Sequence, residues 1–595
     1  MRPQTLGFAA NRTSLVNIVA IALVVGACGG SSTAPRIGPI SFTRNPCSPT
    51  STVTLSVNQA ALLDCSNGGT TVTLAGNGAT YLIVPEFASN QPSNTLFPYS
   101  FATGNLVAAA TSAQRVSAMR AGVTQAPSAR AGTLPAWRPM HAQQALDRTL
   151  RSRARRPSAL SRIMTRRGGL APRLGAVIAP PPPVGSTRSF QVLSNVTSPT
   201  WKAVTAQLAY AGTNLLLYID QATPANGFTP TQLQSFGQLF DSTLYPIDTL
   251  TFGVPSDVDQ NGRVIMLMSP VVNGDTPAST CATQGFIAGF FDEEDFNGPT
   301  DPNSNQGEIF YSIVPDPTGT ASCAHSVANV GAEVPAVFLH EMQHLINFSQ
   351  HVIVHSGTPS SGWLDEGLSI VAEEQGSLYY EQKCPPPSCR SDPAQLFPDS
   401  SQGFIQSFLY DSYQYALLPD TASLTLHDDS EDGFSWRGGD WALVRYLGDQ
   451  HGAAFYKLLE QGPSDGVADL EAAVGQPFPT FFADFGLALY TDSLPGLPRA
   501  TAPAVDRFTS RNMRQLWARL WATSGGASDV PFEFPIQLFP VTVDTSSAVM
   551  DPGTMTYFLL ATPATDSTVT VRFSAPGGGA LTAVLKPQLA LFRLP

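Results

Sequence analysis

Charged side chains are scarce in this chain of 595 residues. They make up 13% of the sequence, which is about half of the usual share in globular proteins. Apolar residues, at 43%, are sufficient for a sizeable buried core, and the length favours several domains. A surface with so little charge must be rich in Ser, Thr, Asn, Gln and Gly. This composition is more typical of an extracellular protein than of a cytosolic one.

Acidic residues are almost absent from residues 101–200, which contain 14 arginines and one carboxylate, Asp147. This stretch therefore carries a charge of +13, whereas the whole chain carries -12 and the remaining residues carry -25. Such asymmetry argues against a uniform nucleic-acid-binding surface. We therefore predict that the protein has no nucleic-acid partner.

Residues 111–187 lack hydrophobic periodicity. They include an arginine-rich stretch, residues 148–173, followed by four consecutive prolines. This composition predicts a disordered or semi-rigid linker. As an alternative, the arginine pairs Arg155-Arg156 and Arg166-Arg167 are candidate processing sites, because exposed basic pairs invite proteolysis.

The N-terminus has an apolar run, Leu15 to Val25, that is too short for a comfortable membrane span. Arginines precede the run, and it ends in Val25-Gly26-Ala27-Cys28. This pattern resembles a bacterial lipoprotein signal peptide with its lipobox. The resemblance implies that residues 1–27 are cleaved, that Cys28 is lipidated and that residues 28–36 are a tether. We expect a cell-envelope lipoprotein at the outer membrane or cell surface, or one released outside; an ordinary secretory signal is the alternative.

Cysteines are few, and setting Cys28 aside leaves an even number of six. In an exported chain, an even number indicates disulfide bonds. Neighbouring cysteines give the simplest connectivity, although six cysteines allow other pairings. The pairs are Cys47 with Cys65, Cys281 with Cys323, and Cys384 with Cys389.

The pattern of apolar runs predicts a multidomain α+β protein without internal repeats. Short β-type runs predict a small β-sandwich module at each end, over residues 37–110 and 530–595. Between them, residues 188–495 alternate strand and helix patterns, and residues 496–529 form a connector. Predicted strands include Leu215–Ile219, Thr249–Val254, Val264–Met268 and Glu308–Ile313, and a helix over Thr229–Leu244 has Thr229 as its N-cap.

The segment from Pro335 to Phe348 contains His340-Glu341-Met-Gln-His344. On a helix, side chains four residues apart lie on one face, so the two histidines can share one metal ion. Glu341 can accept a proton from a metal-bound water. The opposite face of the helix is apolar, with Phe338, Leu339, Met342, Leu345 and Ile346, and Pro335 favours a helix start. A core helix with two buried histidines is the alternative.

A third ligand is expected because catalytic zinc usually keeps three protein ligands and one water. Downstream stands Trp363-Leu-Asp-Glu366-Gly. HExxH followed by WLxEG resembles the gluzincin metallopeptidases, in which this Glu is the third zinc ligand. HEMQHLINF followed by WLDEGLSIVAEE resembles in particular the hyicolysin-like peptidases. The resemblance covers residues 334–374 and implies a zincin-like catalytic domain, with a mixed sheet, an active-site helix and then a helical subdomain.

Other ligand sets fit less well. A metzincin site needs Gly at position 347 and His at 350, where this chain has Asn347 and Gln350. His351 and His355 are expected on the loop after the helix. Asp365 could replace its neighbour Glu366 as the third metal ligand.

The resemblance predicts a zinc-dependent endopeptidase that acts on extracellular proteins or peptides. Zinc lowers the pKa of its water to about 7, and Glu341 would pass the water proton to the leaving nitrogen. Glu373, seven residues after Glu366, lies on the same helical face and either orients a ligating histidine or is solvated. Open candidates for the oxyanion donor are Tyr379, Tyr380, Tyr413, Tyr415 and His427. Alternatives are an adhesion lipoprotein with a degenerate zincin domain and a hydrolase of non-peptide amides.

Two acidic segments are candidates for calcium. Asp257-Val-Asp259-Gln-Asn261-Gly262 has the spacing that opens a calcium loop, but Met268 stands where an EF-hand needs Glu. A polar hairpin turn between the flanking predicted strands is the favoured interpretation. The cluster Asp292–Asp295 is expected to be a solvated loop, with calcium binding as the alternative.

Overall fold

The structure is a computed structural model that describes residues 43–66, 68–90, 97–104, 140–156, 180–383, 402–426, 433–541 and 546–595. Several predictions lie outside these residues: the signal peptide, the tether with Cys28, the Cys384–Cys389 pair, Arg166-Arg167 and His427. The described residues all belong to one compact unit.

Strands occur in three regions of the chain. They are β1 (Thr43–Pro46), β2 (Thr50–Val53), β3 (Ala60–Asp64), β4 (Thr70–Ala75), β5 (Thr80–Phe87), β6 (Phe97–Gly104), β7 (Thr187–Asn195), β8 (Thr200–Ala211), β9 (Leu215–Asp220), β10 (Val264–Met268), β11 (Gly289–Phe291), β12 (Ile309–Ser312), β13 (Phe539–Pro540), β14 (Ser546–Met550), β15 (Thr554–Met555), β16 (Phe558–Ala561), β17 (Thr568–Ser574) and β18 (Pro587–Arg593).

Helices dominate the second half. They are α1 (His141–Ala154), α2 (Pro230–Leu239), α3 (Tyr245–Thr251), α4 (Pro270–Gly274), α5 (Cys281–Gln284), α6 (Val327–Phe348), α7 (Gly362–Lys383), α8 (Gln402–Leu417), α9 (Phe434–His451), α10 (Ala454–Gln461), α11 (Val467–Val474), α12 (Phe478–Thr491) and α13 (Met513–Ser524). Turns of π-helix follow α2 over Phe240–Leu244 and α6 over Ser349–Val354.

The two ends of the chain form one β-sandwich, so the prediction of a separate module at each end is wrong. One sheet has the order β1-β3-β18-β5-β16-β13, and the other has the order β14-β6-β17-β4-β2. The C-terminal strand β18 therefore lies between the N-terminal strands β3 and β5 in the first sheet, and β17 lies between β6 and β4 in the second. Strand β18 is buried on both faces, and the alternating burial of β17 turns one of its faces toward the core that the two sheets share.

The central sheet has the order β11-β12-β10-β9-β8-β7. Its inner strands β9, β10 and β12 pair in parallel, whereas β11 pairs antiparallel to β12. Strand β10 is buried at every position, as expected for a parallel strand covered on both faces. Thr229 is the N-cap of α2, as predicted, and it also forms a capping box with Gln232. The prediction of a strand over Thr249–Val254 is wrong, because the first residues of this segment form the last turn of α3, which ends at Thr251.

Helix α6 carries the HExxH motif and begins earlier than predicted. Ser326 accepts a hydrogen bond from the backbone N–H of Asn329 and caps the helix, so Pro335 lies inside it and not in its first turn. The predicted apolar face is buried. Phe338 packs among Phe236, Phe240 and Phe310, and this aromatic cluster fixes α6 against the central sheet.

Two segments predicted to be connecting chain are folded. In the expected linker, residues 141–154 form α1, whose Leu146, Leu150 and Ala154 are buried in the main core. In the expected connector, α13 packs against α8, where Trp517 donates a hydrogen bond to Ser412 at 3.1 Å. Composition alone missed α1 because few of its residues are apolar, and tertiary contacts decide the fold of both helices.

Two of the three predicted disulfide bonds are confirmed. Cys47 is bonded to Cys65, and Cys281 is bonded to Cys323. Among the described residues, no helix is long and apolar enough to cross a membrane.

The shared sandwich predicts that a change in β18 destabilises the N-terminal strands. Leu591 is fully buried and pairs with Ala61 and Ile83. We expect Leu591→Ala to cost about 2–5 kcal/mol and to raise hydrogen exchange in residues 60–87. Val584→Ala, at an exposed position of the same region, is the matched control. Unchanged exchange in residues 60–87 of the Leu591 variant would contradict the shared core.

Candidate metal centre

Three side chains from two helices converge at one point. Helix α6 supplies His340 and His344, and the first turns of α7 supply Glu366; one ligand atom of each lies within 4.8 Å of the others. The Nε2 atom of His340 is 3.7 Å from Oε2 of Glu366, and the Nε2 atom of His344 is 3.8 Å from Oε1. These separations are too long for hydrogen bonds but suit atoms that share one ion.

A carboxylate lies beside the other nitrogen of each imidazole. The Nδ1 atom of His340 lies 2.8 Å from Oε1 of Glu373, and that of His344 lies 3.0 Å from Oδ2 of Asp365. Both Nε2 atoms therefore remain directed toward Glu366. This arrangement fixes the tautomer and makes a ligating imidazole more basic. Sequence reasoning proposed this role for Glu373 but considered Asp365 only as a replacement ligand.

Two arginines compensate the buried charge of Glu366. Arg437 of α9 forms a buried ion pair with its Oε2 atom, and Arg151 of α1 donates to Oε1 at 2.9 Å. Although burial raises the pKa of Glu366, the charges of Arg437, His344 and Arg151 hold it well below its usual range. The carboxylate is thus kept ionised. Neither arginine was foreseen, because each lies in a segment remote from the motif.

Glu341 faces the same cavity from α6 and is buried. Burial raises the pKa of Glu341 to about 7, although the charges of His340 and His344 lower it. Strand β11 passes beside it: a Cβ atom at Gly289 would lie 2.6 Å from Cγ1 of Val337 and 3.4 Å from Cγ of Glu341. Only glycine allows this close approach of the sheet edge to the helix.

The donor set fits a divalent zinc ion. Two imidazole nitrogens and one carboxylate are the ligands of a catalytic site with an open position, and both imidazoles have outer carboxylate partners. Burial lowers the pKa of His344, but Asp365 and Glu366 raise it to about 10. A metal that binds here must therefore displace a proton.

The remaining candidates lie elsewhere. His351 belongs to the π-helical turn after α6, not to a loop as predicted, and neither it nor His355 joins the metal-binding group of the described residues. The hydroxyl of Tyr413 donates to the carbonyl of Phe532 at 2.6 Å. None of the described tyrosines lines the cavity, so the proposed oxyanion donors Tyr379, Tyr380, Tyr413 and Tyr415 are not brought to it.

Helix α1 forms one wall of the cavity. Its Asp147, Leu150 and Arg151 face Glu341, His344 and Glu366 across the cavity. The acidic cluster that follows β11 is buried, not solvated as predicted: Arg153 pairs with Glu294 at 2.5 Å and with Asp292 at 3.6 Å. The cluster therefore binds a helix of this chain, and the described residues give it no metal-binding geometry.

Two imidazoles, a carboxylate and a buried glutamate in one cavity define a candidate centre for metal-assisted hydrolysis. The chain is 27% identical over 192 residues to the neutral metalloprotease ShpI of Staphylococcus hyicus. That match covers 32% of this chain and 40% of the relative, less than half of its length. No family model matches the chain. The similarity supports a relationship to metalloproteases and a metal at this site.

The carboxylate behind His340 should strengthen metal binding. We expect Glu373→Gln to weaken zinc affinity by about 10–100-fold, because a neutral amide oxygen is a weaker acceptor for the hydrogen bond from Nδ1 than a carboxylate. Competition with a zinc chelator measures this affinity. Glu381→Gln is the matched control, since Glu381 lies on the same helix and contacts Arg511 and Ser377 instead. Equal affinities in the two variants would refute the role of Glu373.

Proposed function

We propose that this protein is a zinc-dependent endopeptidase of the gluzincin type, similar to the hyicolysin-like peptidases. The observation that carries the proposal is the convergence of His340, His344 and Glu366 beside a buried Glu341. The partial similarity to a neutral metalloprotease supports the same reaction class. The mixed sheet, α6 and the helices that follow support a zincin-like catalytic domain.

His340, His344 and Glu366 would hold the zinc ion, which when bound would acidify a water and polarise the scissile carbonyl. Glu341 receives the proton of the attacking water. A pKa of about 7 allows it to give that proton to the leaving nitrogen at neutral pH. Glu373 and Asp365 keep the imidazoles in position during these transfers.

Strand β11 is positioned to bind the substrate backbone. It is the edge strand of the central sheet in the described residues and runs beside Glu341. An extended peptide can add to such an edge through main-chain hydrogen bonds. The scissile bond of the peptide would then lie between β11 and α6. Gly289 has no side chain, so it would add little selectivity for the substrate residue beside it.

An exported location agrees with this activity. The lipobox-like N-terminus supports a cell-envelope lipoprotein whose membrane contact is the lipid on Cys28, or a form released from it. Proteins outside the cell are then the proposed substrates. An adhesion lipoprotein with a degenerate site is less well supported, because a degenerate site would be free to lose Glu341 while this cavity retains it.

Replacing the general base tests the proposal. We expect Glu341→Gln to lose at least about 100-fold in hydrolysis of labelled casein while it keeps one zinc per chain, because Glu341 is not a ligand. Because Arg155-Arg156 is a candidate processing site, the full chain is assayed both as isolated and after brief cleavage by trypsin. The trypsin is then stopped with a serine-protease inhibitor. Glu333→Gln, on the same helix but outside the cavity, is expected to retain activity. Full activity of Glu341→Gln in both forms would refute the mechanism.

A further inference from the structure

A second group of carboxylates lies on the central sheet, away from the metal centre. The loop Asp257–Gly262 joins α3 to β10, so it is not the predicted hairpin turn. Glu308 directly precedes β12, and β12 pairs with β10. One ligand atom each of Asp257, Asp259 and Glu308 lies within 4.8 Å of the others. Glu308 thus supplies, from a neighbouring strand, the carboxylate that the loop lacks at Met268.

Glu308 is held with one oxygen free. Its Oε1 atom accepts hydrogen bonds from the hydroxyl of Ser256 at 2.8 Å and from the N–H of Val258 at 2.7 Å. Its Oε2 atom is buried and has no hydrogen-bond partner, and the side chain is 1% exposed. A buried oxygen without a hydrogen-bond partner is costly, and a bound cation would supply the missing partner.

The loop presents its carboxylates to the same point. The N–H of Gly262 donates to Asp257 at 3.0 Å, and the N–H of Asn261 donates to Asp259 at 3.1 Å. Gly307 leaves room for Asp259, since a Cβ atom there would lie 3.0 Å from its Oδ2. The described residues form no ion pair with these three carboxylates, and the charge of Arg188 only partly offsets the effect of burial, which raises the pKa of Asp259.

We propose that Asp257, Asp259 and Glu308 bind a calcium ion. All the donors are oxygens, which a hard cation prefers, and calcium tolerates an irregular site completed by water. Exposed Asp257 leaves one side open to that water. The ion would tie the loop before β10 to the start of β12, and β12 in turn carries β11, the edge beside Glu341. The site thereby stabilises the sheet on which the metal centre rests.

Calcium alone is the probe, added to the calcium-free full chain with its zinc retained. We expect a Kd of about 10⁻⁴–10⁻³ M, as in extracellular calcium modules, and a rise in Tm of roughly 2–5 °C at saturation. Glu308→Gln should abolish this rise, yet without calcium it should be at least as stable as wild type, because it removes a buried carboxyl oxygen that lacks a hydrogen-bond partner. Asp257→Asn, at an exposed position, should weaken binding at least tenfold (about 1.4 kcal/mol).

Glu86→Gln is the matched control. Glu86 is also fully buried, and both its oxygens lack hydrogen-bond partners, but it belongs to no metal-binding group of the described residues. This variant should keep the calcium response of wild type. The proposal is overturned if wild type shows no response at about 10 mM calcium, or if Glu308→Gln and Asp257→Asn respond as wild type does.

Helix α1 supports a second inference. It is independent of the calcium site, and it rests on the proposed function. The side-chain amide of Gln143 donates to the carbonyl of Gly289 at 3.1 Å and accepts from the N–H of Ala288 at 3.2 Å. The carbonyl belongs to the first residue of β11, and the N–H belongs to the residue directly before it. A peptide that adds to this edge would need the same groups, so α1 and a substrate compete for them.

The same helix closes the cavity. Arg151 pairs with Glu366 and Arg153 with Glu294, while Asp147 lies among Glu341 and Glu366. Arg155 and Arg156 follow directly and are exposed, as a basic processing site requires. We infer that α1 is an inhibitory segment that occupies the substrate site until it is displaced, with cleavage after the helix as the releasing event.

Weakening α1 at contacts remote from the metal ligands tests this inference. In the full chain, Gln143→Ala combined with Arg153→Ala should raise kcat/KM on a labelled peptide by about tenfold or more, because the docked state loses its hydrogen bonds and ion pairs. Hydrogen exchange of residues 288–291 should rise with it. Ser152→Ala, on the exposed side of the same helix, should change neither quantity.

The exchange measurement separates the two proposals. If no form hydrolyses peptide while exchange at 288–291 rises, the peptidase assignment fails and the displaceable helix stands. If the double variant matches Ser152→Ala in exchange, or is less active than wild type, α1 is a fixed structural part of the site and the inference is overturned.

Discussion

The buried negative charge of Glu366 is the constraint on which the catalytic region depends. Its carboxylate is 1% exposed, and such a charge is tolerated only when it is paired and hydrogen-bonded. Three elements far apart in sequence meet there: α6 with its imidazoles, α9 with Arg437 and α1 with Arg151. A divalent cation between the imidazoles and Glu366 would complete this compensation. The charge of one carboxylate thus explains why these helices converge.

The sequence was sufficient for the local chemistry of the metal centre. Helical spacing places His340 and His344 on one face, and the resemblance of the WLDEG segment points to Glu366; the structure brings all three together. Strand β10 and the cap of α2 were also predicted, because buried runs and capping boxes are local signals. Local patterns also suggested two disulfide pairs that the structure contains.

Non-local features could not be read in the same way. No local pattern shows that β18 inserts between β3 and β5, because strand pairing across more than 500 residues depends on the whole core. Helix α1 resembled a linker, since its arginines are paired only in the folded state. Glu308 could not be linked to Asp257 before β10 and β12 were known to be neighbours.

These non-local features would also control the proposed activity. Helix α1 contacts Glu366 through Arg151 and the start of β11 through Gln143. The same helix therefore compensates the charge of Glu366 and controls the access of a peptide to β11. The carboxylates near β12 lie one strand away from that edge. Metal centre, substrate edge and second cation site therefore share one sheet.

The proposed role of His340, His344 and Glu366 is to hold one zinc ion. Anomalous diffraction from crystals of the purified protein, recorded on both sides of the zinc edge, is the decisive measurement. We expect a single strong zinc peak within about 2.0–2.2 Å of Nε2 of both histidines and an oxygen of Glu366. A peak at other residues, or no zinc peak at this cavity in zinc-supplemented crystals, would contradict it.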